Sequence, residues 1–124
     1  MKKIVIDLDG TLTVDDPSVP YEQKEPRSDV VAMLREYHEN GFEIIIATAR
    51  NMRTHNGNIG KITAKTLPVV IDWLHFHSIP FDEIYIGKPW CGTEGFYVDD
   101  KAVRPDEFAR MSYEEICTMV GISK

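Results

Sequence analysis

Four short polar clusters each follow an apolar run in this chain. Asp7-Leu8-Asp9-Gly10-Thr11 follows Ile4-Val5-Ile6, and Thr48-Ala49-Arg50 follows a run of three isoleucines. Gly87-Lys88-Pro89 follows Ile84-Tyr85-Ile86, and Asp99-Asp100 follows Phe96-Tyr97-Val98. A single aspartate at such a boundary is ordinary turn chemistry. Several carboxylates drawn to one place repel one another unless a divalent cation lies between them, and ligands that are all oxygen favour magnesium. The Thr48 hydroxyl and the Lys88 ammonium add a donor and a positive charge, which is what a phosphate group needs. The chemistry open to such a set is phosphoryl transfer, in which one carboxylate attacks and a second moves the proton.

These clusters meet only if the apolar runs are neighbouring strands that end on the same side. Residues 3–8 and 43–47 read as buried central strands, and residues 83–86 and 96–98 as two shorter ones bounded by Gly87 and Gly95. Between the first two, Ser28 is placed to cap a helix whose inward stripe is Val30, Met33, Leu34 and Tyr37, closed by Asn40-Gly41. Thr66 is placed to cap a second helix with Pro68 in its first turn. Its stripe of Leu67, Val70, Ile71 and Leu74 is widened by Trp73 and Phe76, and Ile79-Pro80 stops it. Ser112 and Glu115 form a capping box for a last helix ending at Gly121. Right-handed crossovers then build an α/β fold of three Rossmann-like layers around a parallel sheet, with ligands beyond the carboxyl ends of its strands. Residues 1–124 read as a single domain, with no repeat or linker.

The four clusters, in this order, resemble the motifs of the haloacid dehalogenase-like (HAD) superfamily. By that resemblance Asp7 is the nucleophile that takes the phosphoryl group, Asp9 the general acid and base, and Thr48 and Lys88 the phosphate ligands. It also implies magnesium as cofactor, held by Asp7, Asp9, Asp99 and, through water or a second layer, Asp100. Gly10, Ala49, Arg50 and Arg53 are placed around the substrate. An aspartate at position 9 resembles the phosphatases and phosphomutases rather than the dehalogenases. The intervals 10–26 and 87–95 are too short for the cap domain of larger relatives, so the chain resembles a capless member. The phrases Thr48-Ala49-Arg50-Asn51-Met52-Arg53 and Gly87-Lys88-Pro89-Trp90-Cys91-Gly92 further resemble small phosphatases of bacterial capsular polysaccharide biosynthesis. That likeness implies a phosphorylated sugar or glycan precursor as substrate.

Composition narrows the alternatives. A net charge of -6 opposes a role in coating nucleic acid or anionic membrane. No apolar stretch reaches the roughly 18 residues of a membrane span, and Asp7 and Asp9 interrupt the N-terminal apolar run before it can act as a signal peptide. Two distant cysteines, Cys91 and Cys117, suit a reducing cytoplasm. Residues 50–65 hold Arg50, Arg53, His55, Lys61 and Lys65 and no acid, which reads as a mobile loop at the active edge that receives an anionic substrate. His38, His75 and His77 lack carboxylate partners at ligand spacing and read as structural or solvent-facing. Trp90 either stacks on a sugar or plugs its loop into the core. Without a cap, a second subunit of a homo-oligomer is one means of covering the site. Two non-enzymatic readings compete. A phosphosugar-binding module would keep the pocket without turnover, and a receiver domain would carry its phospho-acceptor on a middle strand rather than the first.

Overall fold

The computed structural model describes residues 2–87, 91 and 93–123. Ile4, Val5 and Ile6 leave a strand with no polar face, so it must lie inside a sheet covered on both sides. It does: β1 (Lys3–Asp7) is flanked by β2 (Glu43–Thr48) and β4 (Phe96–Val98), and β3 (Glu83–Ile86) pairs with the far side of β2. All pairings are parallel and the order is β3-β2-β1-β4. The chain therefore builds outward from β1 to β3 and then crosses to the other side of β1, which creates a switch point between β1 and β4. Register does the rest. Asp7 pairs with Ala47 and Ile6 with Val98, so Asp7, Thr48 and Asp99 leave the sheet side by side.

The period of two divides the core. Ile4, Ile6, Ile44 and Ile46 face one way and pack under α1 (Ser28–Glu39) and α3 (Leu67–Phe76), with Leu34, Val70, Trp73 and Leu74 as the main helix contributions. Val5, Ile45 and Ala47 face the other way and are buried with Cys91. Among the described residues there is no cap domain. Residues 13–26 form a small hairpin: Thr13 bridges Pro26, and a 3-10 turn (Tyr21–Gln23) packs against α3.

The structure departs from the sequence reading at several places. Residues 50–65 are not a loop throughout. Asn58 accepts from the Lys61 N–H and caps a helix, α2 (Ile59–Lys65), whose Ile62 is fully buried. Ser28 is the first residue of α1 rather than its cap, and Thr66 keeps helical backbone angles between α2 and α3, spending its hydroxyl on Asn51 instead of a cap bond. On α1 the inward residue is Val31, while Met33 is 52% exposed. On α3 Phe76 is 83% exposed. Finally, α4 (Pro105–Arg110) precedes the expected capping-box helix α5 (Tyr113–Val120), which ends at Gly121 in left-handed geometry as read. His38 and His75 are exposed, and no helix among the described residues is long and apolar enough to cross a membrane.

Candidate active site

At the end of β1 the chain turns sharply. The N–H groups of Thr11, Leu12 and Thr13 all point at the Leu8 carbonyl, and Gly10 turns the chain at φ 82° while donating its own N–H to the Thr13 hydroxyl. Gly10 is needed for space as well as angle, because a Cβ there would stand 2.5 Å from Asp100 Oδ2. This turn folds the buried Thr11 back over the strand end. Its hydroxyl lies 3.1 Å from Asp7 Oδ2 and 3.2 Å from Asp100 Oδ1, so its one proton bridges two carboxylates separated by most of the chain.

Oxygens of Asp7, Asp99 and Asp100 lie within 4.8 Å of one another. Asp100 stands in this cluster on equal terms with Asp99. The alternation that would turn successive residues apart holds only within a strand, and β4 has ended at Val98. Crowding has an electrostatic consequence. Burial, a hydrogen bond with Asp100 and the charge of Asp99 push the Asp7 carboxyl up to about 7, against a smaller downward pull from Thr11. An all-oxygen set of this kind fits magnesium, whose charge would relieve that repulsion.

Asp9 lies elsewhere. The strand ends at Asp7, so the two-residue period that would carry Asp9 to the same face does not apply. Its carboxylate instead accepts two bonds from Arg50, at 3.0 Å from Nε and 2.7 Å from Nη2. It is not in the cluster with Asp7. Arg50, expected on a mobile loop, has a side chain only 1% exposed, and its guanidinium stacks 4.0 Å from the centre of the Tyr21 ring. Its remaining nitrogen, Nη1, is buried without a partner among the described residues. Arg53 is exposed on the following turn. Thr48 is buried and its hydroxyl accepts from the Arg50 N–H at 3.0 Å, which orders the turn after β2. Thr48, Ala49, Gly87, Asp7 and Asp99 line a cleft of about 170 Å³ at this edge of the sheet. Lys88 and Trp90 lie outside the described residues.

Asp9 lines a larger groove of about 570 Å³. The 13–26 hairpin builds it from Asp15, Pro17, Ser18, Val19, Pro20, Tyr21 and Lys24. Sequence reading passed over Tyr21 and Lys24, since neither sits at a strand end. The one available signal was an aromatic and a lysine within the short interval that follows the first motif.

Comparison with known proteins agrees with this geometry. A crystal structure of an MCSG target from Vibrio cholerae is 57% identical, with both chains covered completely and a TM-score of 0.69. A chain of the Pnkp1/Rnl/Hen1 complex shares the fold at 20% identity and a TM-score of 0.54, over 69% of this chain and 28% of that one. A search of curated proteins finds no match. The family profile described as haloacid dehalogenase-like hydrolase matches residues 4–71, which contain β1, its turn, β2 and the Thr48 cluster. With a parallel sheet that brings Asp7 beside Asp99 and Asp100, the chain belongs to the haloacid dehalogenase-like hydrolases.

Proposed function

We propose that the chain is a magnesium-dependent phosphatase that hydrolyses a phosphate monoester through an aspartyl-phosphate, acting on a phosphorylated sugar or glycan precursor of capsule or polysaccharide synthesis. The observation that carries the reading is the Asp7 carboxylate at the open end of the central strand. It is held by Thr11, faces Asp99 and Asp100, and lines a cleft shared with Thr48 and Gly87.

Asp7, Asp99 and Asp100 are the residues that would hold magnesium. When bound, the ion supplies positive charge that offsets the charge of the phosphate and of the three carboxylates. An Asp7 oxygen forms a bond to phosphorus as the ester oxygen departs, and water then cleaves the acyl phosphate to return Asp7 and release inorganic phosphate. Asp9 takes up a proton from solvent, gives it to the departing oxygen and later takes one from the attacking water. Both Asp9 oxygens accept from Arg50 here, so each transfer requires one of those bonds to open. The Gly87 turn leads directly to Lys88, whose ammonium is proposed to hold the phosphate together with Thr48.

The test is phosphate release from a panel of sugar phosphates, nucleotides and phosphopeptides, with magnesium and with chelator, using Asp7→Asn as the blank. Magnesium-dependent release by wild type alone is expected, highest on sugar phosphates. Equal release by Asp7→Asn would overturn the nucleophile. Binding without release would point to the phosphosugar-binding module instead.

A further inference from the structure

The groove built by the 13–26 hairpin contains a buried cation with little to bind. Lys24 is only 7% exposed, and among the described residues its ammonium donates to a single acceptor, the Asp16 carbonyl at 2.9 Å. Among the described residues it makes no ion pair. The nearby Asp16 carboxylate is committed to the Ser18 N–H and hydroxyl, at 3.0 and 2.7 Å. An ammonium has three protons to give, and the Asp16 carboxylate answers its charge only through space, as the weakest of the influences acting on that acid, so a buried charge is left incompletely matched. The backbone at Lys24 is pinned as well: its carbonyl accepts from the Trp73 indole at 2.8 Å, which ties this wall to α3. Lys24 and Arg50 both approach the Tyr21 ring, at 5.7 and 4.0 Å, so one aromatic ring meets two cations.

The two acids of the groove do not answer this charge. Asp9 is matched by Arg50, and Asp15 is exposed to water. Position then indicates what does. A general acid must lie within hydrogen-bond reach of the oxygen it protonates, so a leaving group served by Asp9 extends into the groove that Asp9 and Lys24 share.

We propose that this groove holds the leaving group and that Lys24 binds a second anionic group on it, which makes the preferred substrate a phosphate monoester of an acidic molecule. Carboxylate and phosphate both meet this requirement. The assignment rests on the phosphatase reading for its chemistry, and on Lys24 for its specificity.

The experiment compares kcat/KM for glucose 6-phosphate, whose leaving group is neutral, with 6-phosphogluconate and glucose 1,6-bisphosphate, whose leaving groups carry a carboxylate and a phosphate. Wild type is expected to prefer one or both acidic esters, and the arm that wins identifies the anion. Lys24→Gln is expected to lower the acidic-to-neutral ratio about tenfold or more, the scale of one charge-assisted hydrogen bond. Lys24→Arg, which keeps the charge, is expected to retain most of the ratio. An unchanged ratio in Lys24→Gln, or an equal collapse in Lys24→Arg, overturns the assignment while leaving the phosphatase standing. If no ester is hydrolysed, amide shifts decide. Gluconate but not sorbitol is expected to move the signals of Tyr21 and Lys24 in wild type and not in Lys24→Gln. Absence of that difference overturns the anion site; its presence keeps the site while the phosphatase reading falls.

Discussion

Replacing Asp7 by Asn is expected to make the metal-free protein more stable at pH 8, although it removes the proposed nucleophile. The Asp7 carboxyl is raised from 3.8 to about 7 by burial, the Asp100 hydrogen bond and the Asp99 charge. A rise of about three units corresponds to about 4 kcal/mol at the usual 1.36 kcal/mol per unit. Asp7 is only half-buried, and screening by water and salt reduces this to about 2 kcal/mol. The sign follows from proton counting. Between about pH 4 and pH 7 the folded chain holds a proton that the unfolded chain has released, so folding is progressively penalised as pH rises through that window. The penalty is absent below it and complete above it. Asn carries no charge, and its amide N–H can donate to Asp100 as the protonated carboxyl does. At about 4 °C per kcal/mol for a domain of this size, Asp7→Asn should melt about 8 °C above wild type at pH 8, with the gain shrinking toward zero near pH 4. Calorimetry in chelator at several pH values measures this, and magnesium should raise wild type more than the variant. A variant no more stable than wild type at pH 8, or a gain that ignores pH, would refute the crowding argument.

Other perturbations separate the remaining parts. Gly10→Ala pushes a methyl group against Asp100 and asks a non-glycine residue to hold φ 82°, so magnesium affinity should fall about tenfold, as when a support of a metal ligand is lost. An unchanged metal titration would mean that Asp100 moves freely. Arg50→Met leaves Asp9 without its partner and should cost about 2–3 kcal/mol in urea unfolding, less than a fully buried pair because Asp9 is a third exposed. Trp73→Phe strips the Lys24 carbonyl of its donor and should cost about 1–3 kcal/mol, with protease cutting within 13–26 accelerated before global unfolding. Uniform resistance of that hairpin would show that the indole bond does not anchor it.

The parallel sheet was legible because β-branched runs such as Ile44-Ile45-Ile46 have no polar face to offer solvent, and the carboxylate cluster because its members stand where those runs stop. What escaped did so for definable reasons. Helix α4 buries no residue, so it leaves no apolar stripe to read. Helix α2 contains Gly60 and shows a single fully buried anchor, Ile62, within a stretch whose basic charge suggested solvent. On α1 the choice between Val31 and Met33 turns on a rotation of the helix that the stripe alone does not fix. The largest difference at the site is Arg50. A basic residue after a strand end announces an anion, and sequence does not say whether that anion is a ligand or, as here, the chain's own Asp9.

The central place of β1 has a consequence for biosynthesis. Its two partners are made far apart in time: β2 follows within about forty residues, whereas β4 lies beyond residue 95. A nascent chain that has already paired β1 with β2, and β2 with β3, therefore carries a bare edge on β1 whose middle residues, Ile4-Val5-Ile6, are all apolar, the form of surface most prone to recruit another chain. The segment that finally seals this edge also brings Asp99 and Asp100. A ribosome paused before it holds a product that is both adhesive and chemically incomplete, and a single docking event ends both conditions.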